Sequence, residues 1–238
     1  MNIVKRLIIF LVCCIIFIIP CTVSALDSGL ETESLSVEEI AEISKHRTFE
    51  KITSYTPMPA QCFDVRNDHM VVVGATMGSD AVIVIYNAEG DFQYGFKTSE
   101  NGSFRVMWSG NSIAYYSIRG NRLYTINGDG VIIGIKEVVS SSNNSTYDQK
   151  VLLSTTRTVD DCTYRMTNDR AFADGFASSF KKIIRTKEEE TTVVYDAGSK
   201  KQGQMAGIVA MIVFFVAFMV VGIVIFVKKH SKNVKEQR

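Results

Sequence analysis

The stretches "YNAEGDFQYGFKT" (Tyr86–Thr98) and "INGDGVIIGIKEV" (Ile126–Val138) write nearly the same phrase twice. Each carries an Asn, a spacer ending in an acid, a Gly and a short stretch with large apolar residues. Each then closes on Gly, a large apolar residue and Lys. Asn and Gly are the residues that supply the positive φ of a tight hairpin turn. The β-branched run Val82–Tyr86 before the first turn reads as a strand.

Working outward, Ala81–Tyr86 aligns with Asn121–Ile126, and Asn87 and Gly90 with Asn127 and Gly130, at a constant spacing of 40. Gly95-Phe96-Lys97 matches Gly134-Ile135-Lys136 at 39, as though one residue had dropped out. Upstream, Val71–Val73 matches Ile113–Tyr115. A third, degraded unit takes Cys162–Met166, Phe180–Thr186 and Thr191–Asp196 as strands. Its turn is Lys187–Glu190, and Asn168–Ser178 is an insertion. Phe104–Trp108 and Val151–Thr155 are available as fourth strands.

Four short antiparallel strands per roughly 40–45 residues is the arithmetic of a β-propeller blade. The segment "NRLYTINGDGVIIGIKEV" (Asn121–Val138) resembles the inner strands of blade repeats in exported bacterial propeller proteins. The resemblance implies architecture and no particular function. The expected class is mainly β, with propeller-like stacked antiparallel sheets in about three blade-like units over 62–196. Closed propellers have about 4–8 blades. Three units therefore leave three outcomes open: completion by association, an open arc covered by the N-terminal helix, or a sandwich.

The ends of the chain predict where it resides. Lys5 and Arg6 precede an apolar run and Val23-Ser24-Ala25, the pattern of a secretory signal peptide over 1–25, with an uncleaved anchor as the alternative. Residues 205–227 contain no charge and no proline, enough for a membrane-spanning helix. Lys228, Lys229, Lys232, Lys235 and Arg238 follow directly and mark residues 228–238 as a cytoplasmic tail. Residues 197–204 read as a tether. Within the polar stretch 26–61, Ser36 and Glu39 have capping-box spacing, which predicts a short helix from Val37 to Lys51.

The whole chain has a net charge of +1. Its exported part is acidic on balance and has no basic stripe, which excludes nucleic acid as the expected partner. Two cysteines lie outside, Cys62 and Cys162. They are a candidate disulfide in an oxidising compartment, with two buried thiols equally open.

No catalytic, cofactor or metal constellation emerges. His69, beside Asp68 and near Asp64, lacks the nucleophile and orienting acid of a hydrolytic site. A pocket gathering His69 with two or more carboxylates would favour an extracytoplasmic hydrolase. Asn127–Gly130 and Asp160-Asp161 lack calcium-loop spacing. Trp108, Tyr115, Tyr116 and Tyr124 read as core before binding surface. Asn101, Asn143 and Asn144 each begin an N-x-S/T pattern. The expected function is a membrane-anchored binding or interaction module, held in the lipid bilayer with a protein partner or a second copy.

Overall fold

The computed structural model describes residues 28–198, apart from 101, 170–173 and 176, together with Phe218. The expected signal peptide, most of the tether, the apolar segment 205–227 save Phe218, and the basic tail lie outside the described residues. Among those described, no helix is long and apolar enough to cross a membrane.

The protein is mainly β, with three antiparallel sheets. Sheet I is a meander of β3 (Ala60–Val65), β4 (Val71–Met77), β5 (Asp80–Tyr86) and β6 (Phe92–Ser99). Sheet II repeats it with β7 (Phe104–Ser109), β8 (Ser112–Ser117), β9 (Arg122–Ile126) and β10 (Ile132–Val138). Sheet III is β11 (Thr156–Val159), β12 (Cys162–Thr167), β13 (Lys182–Lys187) and β14 (Glu190–Asp196). The N-terminal segment adds a fifth strand to two of them. β1 (Thr32–Ser34) pairs with β10, and β2 (Glu50–Ile52) pairs with β6.

The repeated phrase forms the same turn twice. Asn87 Oδ1 accepts from Glu89 N and Asp91 N at 3.2 and 2.7 Å. Asn127 Oδ1 accepts from Asp129 N and Val131 N, both at 3.0 Å. Only the glycines take positive φ, +89° at Gly90 and +82° at Gly130. The asparagines therefore act through their side chains and not through φ. The missing residue is also corrected. Ile85 pairs with Tyr94 and Thr125 with Gly134, so the offset of 40 continues through the bulge in both hairpins. Gly95 and Gly134 are not equivalent positions.

Three further expectations change. The helix α1 runs Val37–His46, and residues 50–52 become β2 instead of helix. Phe104–Ser109 opens sheet II and does not close the first unit. Val151 and Leu152 lie in a π-helical turn, Asp148–Leu152, which follows α2 (Ser142–Tyr147); the strand begins at Thr156.

Burial explains the layering. Val82, Val84 and Tyr86 of β5 enter a core with Cys162, Tyr164, Met166 and Ile183 of sheet III. Ala81, Ile83 and Ile85 enter another with Phe104, Tyr115, Tyr124 and Ile126 of sheet II. Sheet I is thus the middle layer, and β5 runs apolar and buried from Ala81 to Tyr86 because both of its faces are covered. Leu30, Tyr147 and Leu152 cover the other face of sheet II. Among the described residues, no sheet covers the other face of sheet III. There Thr158, Thr163, Thr186 and Thr191 stand directly opposite one another across four strands. Threonine keeps the branched shape that suits a strand and adds a hydroxyl where water takes the place of a neighbour.

The inner strands meet at Asp64 of β3. Its carboxylate accepts from Trp108 N of β7 at 2.9 Å and from Arg157 Nε of β11 at 3.2 Å, joining all three sheets.

Candidate functional site

Alternation of strand direction places the β4–β5 turn, the β8–β9 turn and the β6–β7 link at one end of the strands. The described chain also starts and stops at this end, because Thr32 pairs with Val138, the last residue of β10, and β14 ends at Asp196. The hydrogen-bonded bridge between Ala60, where β3 begins, and Phe180, in the β12–β13 connection, brings sheet III to the same end.

A cleft of about 640 Å³ opens there, within the range of small-molecule sites. α1 contributes Glu42, Ile43 and His46, and Arg47 follows it. The β6–β7 link contributes Glu100, and the β8–β9 turn contributes Arg119. Three segments far apart in sequence build it.

Its floor is an ion pair set in aromatic rings. Arg47 donates to the Ser99 carbonyl and to Glu100 Oε2, the latter at 3.4 Å. The Tyr115 hydroxyl donates to the same Glu100 oxygen at 2.7 Å. The Arg47 guanidinium lies 5.2 Å from the centre of the Tyr124 ring and 5.8 Å from that of Tyr115. Phe49 packs edge-on against both tyrosines. With side-chain exposures of 18% and 5%, Arg47 and Glu100 are largely withdrawn from water, and each needs the other. Burial first, and the bond to Glu100 second, push the Tyr115 hydroxyl far above its ordinary pKa, so it stays a donor. At the mouth, Lys45 and His46 hydrogen-bond Glu42 and hold its carboxyl below the usual range. The cleft thus offers fixed charges of both signs.

Of the residues singled out in the sequence, Tyr115 and Tyr124 lie at the floor of the cleft, and the others fall elsewhere. His69 joins the sheet I and sheet III turns. Its Nδ1 lies 3.1 Å from the Tyr164 hydroxyl, and its Nε2 lies 3.7 Å from Asp160 Oδ2. Both His69 and Asp160 have positive φ, a costly conformation for such residues. Asp160 is the one carboxylate His69 meets among the described ion pairs. Asp64 is turned to Trp108 and Arg157, and Asp68 to Arg66. Among the described residues no group of three His, Cys, Asp or Glu could hold a metal ion. Asp129 is paired with Lys51.

Cys62 and Cys162 stand as two free, buried thiols and not as a bridge. Cys62 lies between sheets I and II and Cys162 between sheets I and III, so the middle sheet separates them. Tyr115, Tyr116 and Tyr124 are core residues, while Trp108 is half-buried under Arg66, 4.4 Å from its ring centre. Asn144 is buried and donates to the Glu31 and Val139 carbonyls, whereas exposed Asn143 donates to Glu31 Oε1. Asn101 lies outside the described residues.

Comparison with family models, curated proteins and solved structures finds no match for this chain.

Proposed function

We propose that this protein is an exported, single-pass membrane protein whose three-sheet domain is a non-catalytic binding module outside the cytoplasm. The sheets act as three blades of a propeller-like arc that stops short of a ring. The arc is a scaffold for loop-built sites, and the cleft beside α1 is its ligand site. The observation that carries the reading is the uncharged run 205–227 with Lys228, Lys229, Lys232, Lys235 and Arg238 directly after it. The N-terminal pattern supports export. The half-buried Arg47–Glu100 pair supports binding, since fixed, desolvated charge orients a polar ligand.

Alkaline carbonate extraction of membranes tests the anchor. The full chain is expected to stay in the pellet, and a chain ending at Gln204 is expected in the soluble fraction. A full chain extracted as readily as the truncated one contradicts the reading.

A further inference from the structure

The face of sheet III away from sheet I is built in two rows. The first is the threonine row. In the second, Thr156, Arg165, Ile184 and Val193 stand opposite one another across the same four strands. Of these eight side chains seven are β-branched and one, Arg165, is charged. A face turned to water for good carries more charge than that. A β-branched face fits a second pleated surface. Both faces of sheets I and II have such cover within the chain.

The onward path of the chain says what arrives there. β14 ends at Asp196, and the apolar run begins at Met205, so sheet III is the sheet that leads into the span. Two spans side by side bring two copies of this face within reach of each other, whatever orientation the tethers allow. Gly203 and Gly207, and Ala206 and Ala210, have the small-residue spacing that permits close approach of two such helices. Four strands about 4.8 Å apart, with four residues along each, make a face of roughly 19 by 14 Å. That is well short of the about 800 Å² per partner of a stable soluble complex. Confinement to one membrane raises the effective concentration and lets a small contact form. Threonine suits a contact that opens and closes: its methyl packs in the pair, and its hydroxyl meets water in the single copy.

We propose that two copies of this chain pair through these faces, sheet III against sheet III. The proposal rests on the membrane-anchored reading. A two-fold axis along the strands, between β12 and β13, gives the fullest overlap. It sets β11 of one protomer over β14 of its partner, and β12 over β13. Thr158 then meets the partner's Thr191. Arg165 lays its aliphatic stem over the partner's Ile184 and avoids a second Arg165. The layers run II, I, III, III, I, II through the pair.

The test expresses the full chain with two different tags and treats native membranes with a short bis-maleimide. Thr186→Cys is expected to give a covalent dimer carrying both tags. The natural chain, whose Cys62 and Cys162 are buried, and Asp129→Cys on the turn of sheet II are the controls expected to give little. Thr158 and Thr191 are exposed strand positions, so changes there leave the core untouched. Adding Thr158→Lys and Thr191→Lys sets lysines opposite each other and should cut the dimer about fivefold or more. Thr158→Glu with Thr191→Lys should restore most of it, which separates a lost contact from a lost fold. A dimer formed as readily by Asp129→Cys, or undiminished by the lysine pair, would be collisional and would overturn the proposal. A product joining one tag to a different protein would give the face to another partner and overturn it as well. Absence of dimer from a chain that stays in the carbonate pellet overturns the pairing alone. Release of the chain by carbonate overturns the anchored reading beneath it.

Discussion

A Cβ built on Gly130 would sit 2.5 Å from the Phe49 carbonyl oxygen of the neighbouring segment, and one on Gly90 would sit 3.0 Å from the Val193 carbonyl oxygen of sheet III. Each turn glycine thus serves two ends, a positive φ and a close inter-sheet contact. The turn of sheet II rests on sheet I, and that of sheet I rests on sheet III. Gly130→Ala is expected to cost about 1–3 kcal/mol from φ alone, with the contact adding to it. Gly128→Ala, where the nearest atom is 3.9 Å away, should be near neutral; urea melts compare them. The glycine was legible in the sequence as a turn residue. Its second role was not, because the oxygen it makes room for belongs to a distant part of the chain. At Cys62, burial pushes the thiol up to about 11. It should resist alkylation at pH 8 in the folded protein and react on denaturation, as mass spectrometry would show.

At the scale of elements, α1 is capped at its N-terminal end and packs Ile40 and Ile43 against the core between sheets I and II. Ser36 Oγ accepts from Glu39 N, and the Glu39 carboxylate accepts from Ser36 N, while no residue of the helix is fully buried. Ser36→Ala should cost about 1 kcal/mol, read as faster amide exchange confined to 37–46. The capping box was legible because it is local. The end of the helix was overrun because Glu50–Ile52 is drawn into sheet I by pairing with residues 95–97. Three-residue strands such as β1 and β2 are too short to show a period, and a partner edge decides them. The continuous apolar run of β5 did announce a strand. Its lack of alternation was the mark of a sheet covered on both faces. The cleft was illegible for the same reason that β1 and β2 were: residues 42–47, 99–100 and 117–124 meet only in the fold.

At the scale of the molecule, Asp64 and Arg157 tie the layers together. Their side chains are 22% and 14% exposed, so removing the carboxylate strands a largely buried guanidinium. Asp64→Ala should cost about 2–3 kcal/mol, at or below the low end for breaking a buried pair because both groups keep some water. The loss should appear as a lower urea midpoint in the signals of all three sheets together. Acid should weaken sheet III as well. Lys187 holds the Asp161 carboxyl below its ordinary value, so that stabilisation is present at neutral pH and fades as pH falls through the lowered value, below about 4. With Asp161 58% exposed, the effect is small and shrinks further in salt. The degraded third turn, Lys187–Glu190, also makes sense at this scale. The face of sheet III away from sheet I carries the threonine row and no neighbouring sheet among the described residues, so neither Asn nor Gly is needed for docking.

The claim on which the functional account stands is the placement of the domain outside the cytoplasm and of the tail inside. Single cysteines at Asp129, on an exposed turn, and at Ser231, in the tail, can be labelled in intact cells with a membrane-impermeant maleimide. Asp129→Cys is expected to react in intact cells and Ser231→Cys only after lysis. Labelling of Ser231→Cys from outside, or protection of Asp129→Cys until lysis, would contradict it.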